Sequence, residues 1–235
     1  MGNRDIIVLP KPTLQRLPQY LRLLRPLLHD GQEIVSGTSI ASELRLDPVQ
    51  VRKDLQYTGV PGRPNIGYPL QDLIDGIETT LGWNNLSDAF LAGAGDLGSA
   101  LLGHEEFQNN GLNIVAAFDV DPLKIGMTIH GKEVLSLEKL VNLAMRMHIH
   151  IGIITAPEGA ARDITDRMVA GGIKAIWNFS SAILDVPGDV VVENAQLTSS
   201  LAILTGRLRE LTKKQKGENE NAVHHQPNRE RRAEL

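Results

Sequence analysis

The chain has 235 residues and not one cysteine. That excludes disulfides, thiolate-held zinc or iron–sulfur clusters, and redox sensing through thiols. Long apolar runs are missing as well: no window approaches about 18 uninterrupted apolar residues, so no transmembrane helix is expected. No apolar stretch of signal-peptide length follows Met1-Gly2-Asn3-Arg4-Asp5, and Ile6 stands where a myristoylation pattern requires Ser or Thr. A cytoplasmic protein without membrane contact is the expectation. Positive charge is not in excess either, with 24 Lys and Arg against 28 Asp and Glu and a net charge of −4. Residues 1–85 are balanced at nine of each sign, residues 86–206 hold seven cations against fourteen anions, and residues 207–235 hold eight against five. Any nucleic-acid interaction must therefore come from a local patch. There is no internal repeat.

What is present changes texture along the chain. From Pro12 to about Tyr57 the pattern is short helices separated by turn signals. From about Ser87 to Glu193, apolar runs at Ala89–Ala92, Ile114–Phe118, Ile149–Ile154, Ala175–Phe179 and Val190–Val192 alternate with helical patterns. Strands alternating with helices imply a parallel α/β sheet. A helical linker around Asp72–Leu81 joins the two halves. Beyond Leu211 the chain is almost devoid of apolar residues and reads as a disordered tail, because it cannot bury enough surface to offset its ordering entropy. His224-His225 and the arginine positions downstream of them suit a disordered tail with scattered charge better than a metal or DNA contact, and no metal is expected.

The run Ala89-Phe90-Leu91-Ala92 leads into Gly93-Ala94-Gly95-Asp96-Leu97-Gly98, and a helical pattern follows. This is the GxGxxG of a dinucleotide-binding turn. Gly93 permits the tight turn, Gly95 lets a pyrophosphate approach the backbone, and Gly98 lets helix and strand pack closely. Free N–H groups at the helix start then face the phosphates. Asp119 ends the next strand run, where a carboxylate takes the ribose hydroxyls and favours NAD over NADP. It equally suits an ordinary strand-end turn. Asp96 has two readings, a repulsive charge facing the phosphates or an acid in the helix's first turn.

In the first half, Ser36 caps a helix through Ile40, Ala41 and Leu44. Asp47-Pro48 then starts a second helix, with Gln50 placed to complete a capping box. Val51 and Leu55 share one face of it, leaving Gln50, Arg52, Lys53 and Gln56 over much of the remainder. Such a helix pair suits major-groove recognition; a small helical subdomain with a solvated polar face fits the spacing equally well. Residues 58–68 read as a β-hairpin wing with Arg63 near its tip, or as a Pro/Gly-rich linker.

Taken together, Arg16-Leu17-Pro18-Gln19-Tyr20, Val51-Arg52-Lys53-Asp54-Leu55, Gly67-Tyr68, Gly98-Ser99-Ala100-Leu101, the stretch Ile114–Pro122 with Lys124-Ile125-Gly126, Asn178-Phe179 and Val192-Glu193-Asn194 resemble the Rex family of redox-sensing transcriptional repressors. The match runs from about residue 13 to 209. The resemblance implies an N-terminal winged helix-turn-helix domain over 1–82 and a Rossmann domain with a doubly wound parallel sheet over 83–194. A helix over 195–211 that swaps onto the partner of a homodimer would follow, then a tail over 212–235.

It implies a repressor of an inverted-repeat, double-stranded operator, with DNA affinity set by the NADH/NAD+ ratio. Gln50, Arg52, Lys53, Gln56 and Arg63 would face DNA. Gly93, Gly95, Gly98 and Asp119 would hold the pyrophosphate and ribose, Thr155, Pro157, Asn178 and Phe179 would lie near the nicotinamide, and Asp96, Leu97, Val120, Lys124 and Ala156 would belong to the same cofactor site.

Departures from the family pattern bear on the sensing step. His104 stands where the family carries Tyr and Gln196 where it carries Asp, so only Arg22 remains of a polar network that distinguishes the redox states. Gln196 brings no charge to Arg22, and a weaker or retuned coupling is expected. Leu197 replaces an aromatic, Pro64-Asn65 replace Arg-Gly, and Ser180-Ser181 replace Ala-Pro. Two other functions are weighed against this one. The first is a DNA-binding regulator that answers to another nucleotide, such as coenzyme A, or to none. The second is an NAD-dependent oxidoreductase, for which His104, His130, His148 and His150 lack any orienting acid.

Overall fold

The computed structural model of the protein describes residues 9–195 and 197–224. Its first helix, α1 (Lys11–His29), buries Leu17, Tyr20, Leu21 and Leu24, a stripe at helical spacing. That stripe packs with α2 (Gly37–Leu44), α3 (Pro48–Gln56) and α4 (Leu70–Leu81) in one apolar cluster. Beside them β1 (Ile34–Val35) and β2 (Tyr68–Pro69) pair antiparallel.

The helix starts follow from local chemistry. Ser36 Oγ accepts the Ser39 N–H at 2.9 Å, and the Asp47 carboxylate accepts those of Val49 and Gln50 at 2.7 and 3.0 Å. Arg45 ends α2 in the left-handed region, at φ 54°. The expected wing over 58–68 narrows to a loop closed by Arg63 and Gly67, which exchange backbone hydrogen bonds at 2.7 and 3.0 Å. Pro64 and Asn65 form its turn, and Asn65 takes the positive φ of 60° that the third position of a type II turn requires.

A buried carboxylate fixes α3 against α1. Asp54 is fully buried and accepts five hydrogen bonds: from Thr13 Oγ1 (2.9 Å), Arg16 Nε (2.6 Å) and Nη2 (2.8 Å), Tyr20 Oη (2.6 Å) and Gln50 Nε2 (3.0 Å). Burial pushes its carboxyl up, but the Arg16 guanidinium and the Tyr20, Thr13 and Gln50 donors outweigh that and hold it below the usual carboxylate range. Burial and the Asp54 charge together raise the Tyr20 phenol. Gln50 therefore turns inward and does not close the capping box expected of it.

The anticipated linker helix is part of this core as well. Leu70, Leu73, Ile74 and Ile77 of α4 are buried under α1, and Arg25 Nη2 reaches Glu78 Oε1 at 2.9 Å. An amphipathic helix reads the same in sequence whether it joins domains or completes one. The connection itself is the short turn over 82–86.

The second half runs β3 (Ser87–Ala92), α5 (Asp96–Leu102), α6 (Glu106–Asn109), β4 (Leu112–Asp119), β5 (Thr128–Ile129), β6 (Lys132–Ser136), α7 (Leu140–Met147), β7 (Ile151–Ile154), α8 (Glu158–Ala170), β8 (Ala175–Asn178) and β9 (Val191–Asn194). The sheet order is β5-β6-β4-β3-β7-β8-β9, with every pair parallel except β5–β6. Phe90 and Phe118 meet at 4.8 Å between ring centres in its interior. The chain leaves β3 toward β4 on one side and returns to pair β7 on the other. A crevice forms where strand order reverses in this way. The expected strand runs fall within or beside β3, β4, β7, β8 and β9, whereas β6 escaped notice because Lys132 and Glu133 break its apolar pattern.

Two polar ties join the halves among the described residues: Lys11 Nζ to Glu193 at 3.0 Å and Arg25 Nη1 to Asn110 Oδ1 at 3.4 Å. The last helix, α9 (Leu197–His224), continues past Leu211, where a disordered tail had been expected to begin. Residues 225–235 lie outside the described residues. Leu201, Leu204, Leu208 and Leu211 form a stripe along α9 and are each more than half exposed.

Asp54→Ala is expected to cost about 3 kcal/mol, low in the range for a broken buried pair because Arg16 is partly solvated. Its native carboxyl lies below the unfolded value near about pH 4, so its stabilisation is complete above that pH and lost as pH falls through the native pKa. Thermal unfolding between about pH 6 and about pH 3 should show a steeper acid limb for wild type than for Asp54→Asn.

Candidate functional site

Two surfaces carry the chemistry. On α3, Val51, Asp54 and Leu55 face inward, which leaves Val49, Arg52, Lys53 and Gln56 exposed along one face by i, i+3, i+4, i+7 spacing. Arg52 and Gln56 border a groove shared with Arg63 and Asn65 of the loop after α3 and Thr38 of α2. The structure thus brings four of the five expected DNA-facing residues to one surface. Gln50, the fifth, is committed to Asp54.

At the C-terminal ends of the central strands lies a cleft of about 670 Å3. It is lined by Gly93, Gly95, Asp119, Val120, Lys124, Thr155, Ala156, Pro157 and Phe179, all expected there, by Ser180 and Ser181, noted only as departures from the family pattern, and by Glu158 and Asp163, which the sequence did not single out. Gly93 takes φ 106°, and a Cβ on it would stand 2.7 Å from the Ala156 nitrogen, so the turn lies directly against the end of β7. A Cβ on Gly98 would collide with the Gly93 carbonyl oxygen, which makes Gly98 a packing residue behind the cleft. A Cβ on Gly95 would meet nothing within 4 Å; it would fill open space at the cleft wall.

Asp119 braces the glycine turn. Its Oδ2 accepts the Ala94 N–H at 2.9 Å and Lys124 Nζ at 3.3 Å, and its Oδ1 accepts the N–H groups of Val120 and Asp121 at 2.8 and 2.9 Å. Burial raises this carboxyl, but the Asp121 and Ala94 N–H groups and the Lys124 ammonium hold it below the ordinary range. Thr155 Oγ1 donates to the Gly93 carbonyl at 2.6 Å from the other side.

Several expected contacts lie elsewhere. Asp96 and Leu97 are exposed on the first turn of α5, outside the lining of the cleft, which places Asp96 as a first-turn acid. Asn178 is buried below it, donating to Ala182 O at 3.0 Å and Asn194 Oδ1 at 2.8 Å and accepting from Ser180.

Of the expected coupling group, Arg22 is exposed on α1 and Gln196 lies outside the described residues. His104 has its Nε2 3.7 Å from Glu106 Oε2, and no hydrogen bond or ion pair joins it to Arg22. A file of aromatic contacts runs instead from His104 to Phe107 (4.6 Å), on to Trp177 (5.6 Å) and to Phe179 at the cleft (4.7 Å). Among the described residues no group of three or more His, Cys, Asp and Glu could hold a metal ion, and no helix is long and apolar enough to cross a membrane.

The Asp54 cluster was the main feature missed. Its signal was present: Asp54 falls three residues after Val51, on the face that Val51 and Leu55 bury.

Known proteins divide the chain in the same two parts. The family described as a putative DNA-binding protein N-terminus matches residues 8–56, and the CoA binding domain matches residues 84–182. A redox-sensing transcriptional repressor Rex of Bacteroides fragilis is 42% identical over 206 residues, spanning 88% of this chain and 94% of its own. Another, of Treponema denticola, is 45% identical over 193 residues, spanning 82% and 92%. The crystal structure of RSP in complex with beta-NAD+ and operator DNA superposes with a TM-score of 0.82 at 35% identity, over 90% of this chain and 98% of that one. RSP, a Rex-family repressor, is also known in complex with beta-NADH, and that structure superposes with a TM-score of 0.80 at 32% identity. With such identity sustained across both halves, the chain belongs to the Rex family of redox-sensing transcriptional repressors.

Proposed function

We propose that this chain is a homodimeric repressor that holds an inverted-repeat operator through α3 and lets it go when NADH replaces NAD+ in the cleft of the second half. One observation carries the reading: the chain joins an exposed Arg52–Lys53–Gln56 face, locked to its domain by Asp54, to a glycine-turn cleft with room for a dinucleotide. The same pairing of parts occurs in RSP, whose structures hold beta-NAD+ with operator DNA and beta-NADH.

The residues present suit the ligand. Gly95 leaves the phosphates space, Asp119 and Lys124 stand at the ribose end, and Thr155, Pro157 and Phe179 line the opposite side. Asp119 would trade its contact with Lys124 for the ribose hydroxyls while keeping the Ala94 N–H. The exposed leucine stripe of α9 supports the homodimer. Its 3,4,3 spacing is that of a helix whose apolar seam is completed by a partner. Docked on the other subunit, α9 would link the two cleft-bearing halves, so a change in one is felt by both. NADH acts here only through its differential affinity for the released and DNA-bound arrangements.

Catalysis is not part of this reading: His104 packs against Phe107 near Glu106, outside the lining of the cleft, and the relatives the chain matches are transcriptional repressors. A DNA-binding role places the protein in the cytoplasm. The match to a CoA binding domain reflects the shared scaffold, so coenzyme A belongs in the test as a control.

A mobility shift on the DNA upstream of the chain's own gene should show retarded complex with NAD+ and its loss as NADH is added; no retardation in either condition would end the reading. Arg52→Ala and Lys53→Ala should each weaken operator binding, and the variant that removes a phosphate contact should lower the slope of log affinity against log salt by about one. Gly95→Ala should keep the wild-type melting temperature yet bind NADH at least about tenfold more weakly, because the added methyl occupies the phosphate cradle. Gly98→Ala should instead lose stability and nucleotide binding together. Quenching of Trp177 emission offers a direct readout of occupancy at Phe179.

A further inference from the structure

Charge in the cleft is unevenly compensated. Asp119 lies 3.3 Å from Lys124 Nζ, and Asp163 lies 2.8 Å from Arg167 Nε. The third carboxylate, Glu158, has no cationic partner among the described residues. It is the first residue of α8, and its Oε2 accepts a hydrogen bond from Ser181 Oγ at 2.9 Å. Ser181 follows β8, so this bond spans the mouth of the cleft between the chain leaving β7 and the chain leaving β8.

The tether is itself braced. Ser180 Oγ donates to the buried Asn178 Oδ1 at 2.6 Å and accepts the Ala182 N–H at 3.3 Å. An exposed glutamate at a helix start would otherwise sample many rotamers. Here its charge is kept at the cleft.

Position decides what that charge meets. In a sheet of this order the ribose-binding acid, Asp119, marks the adenosine end, on β4. The nicotinamide end then falls across the glycine turn, beside β7 and β8. Glu158 and Ser181 belong to that end, as does Phe179.

We propose that Glu158, tethered by Ser181, sets the preference between the two redox forms of the dinucleotide. This rests on the reading of the chain as an NAD(H)-responsive repressor. The oxidised nicotinamide ring carries a positive charge that the reduced ring lacks. A fixed carboxylate beside it stabilises the oxidised form selectively. Water at the exposed mouth attenuates the effect without abolishing it. The physiological consequence is a higher NADH/NAD+ ratio at the point of operator release.

The test is calorimetric titration of the full chain, wild type and Glu158→Gln, with NAD+ and with NADH at low and high salt. In Glu158→Gln the ratio Kd(NAD+)/Kd(NADH) should rise about threefold to fivefold, mostly through weaker NAD+ binding, the scale of one charge in a partly solvated cleft. The difference between the two proteins should shrink as salt is raised. If wild type binds both nucleotides and Glu158→Gln leaves their ratio unchanged, the inference is overturned while the repressor reading stands. If wild type takes up neither nucleotide, the repressor reading falls and the inference falls with it.

Discussion

The structure turns on the hydrogen-bonded burial of one carboxylate. Asp54 sits on the helix that carries Arg52 and Lys53, yet every bond it accepts from another element comes from α1. A buried charge is tolerable only when its lone pairs are filled, and here Arg16, Tyr20, Thr13 and Gln50 fill them. The geometry this imposes is directional, whereas the surrounding leucines would accept small rotations of α3. The exposed cations of α3 are therefore aimed by a contact on its opposite face. The same contact removes Gln50 from the surface, so the outward face consists of Val49, Arg52, Lys53 and Gln56.

The second half uses carboxylates differently. Asp119 is only partly enclosed; the N–H groups of Val120 and Asp121 fix one of its oxygens, and the other holds the glycine turn over the strand ends through the Ala94 N–H. Thr155 grips the same turn from β7. The cleft is thus shaped by polar contacts on both sides of the point where the sheet reverses order, and its floor is apolar. Its acids divide by partner. Asp119 and Asp163 are paired with cations, and Glu158 has a hydroxyl and no cation for a partner among the described residues. That difference leaves the β7–β8 side of the cleft with an uncompensated charge that the β4 side has neutralised.

Among the described residues, the polar ties between the halves are few: besides the short turn that connects them, the Lys11–Glu193 ion pair and the Arg25–Asn110 contact. Exposed ion pairs contribute little to stability. A regulator that changes the relative placement of its two halves is served by such a joint, since a large apolar interface would resist the change. The leucine stripe of α9 carries the opposite signature. Its exposed apolar surface calls for a partner.

Much of this was legible in the residues. Asp47-Pro48 and Ser36 marked helix starts because capping is local, and Gly93-Ala94-Gly95-Asp96-Leu97-Gly98 marked the nucleotide turn because the tight turn excludes side chains at fixed positions. Strand periodicity located the central sheet, since strands buried on both faces must be apolar. Tertiary packing alone decided the rest. It showed that α4 completes a core, that Gln50 and Asn178 point inward, that Asp119 bonds the glycine turn, and that Glu158 meets Ser181 across the strand ends. Those facts depend on which side chains converge from distant segments, and hydrogen-bond partners far apart in the chain leave no period or spacing behind.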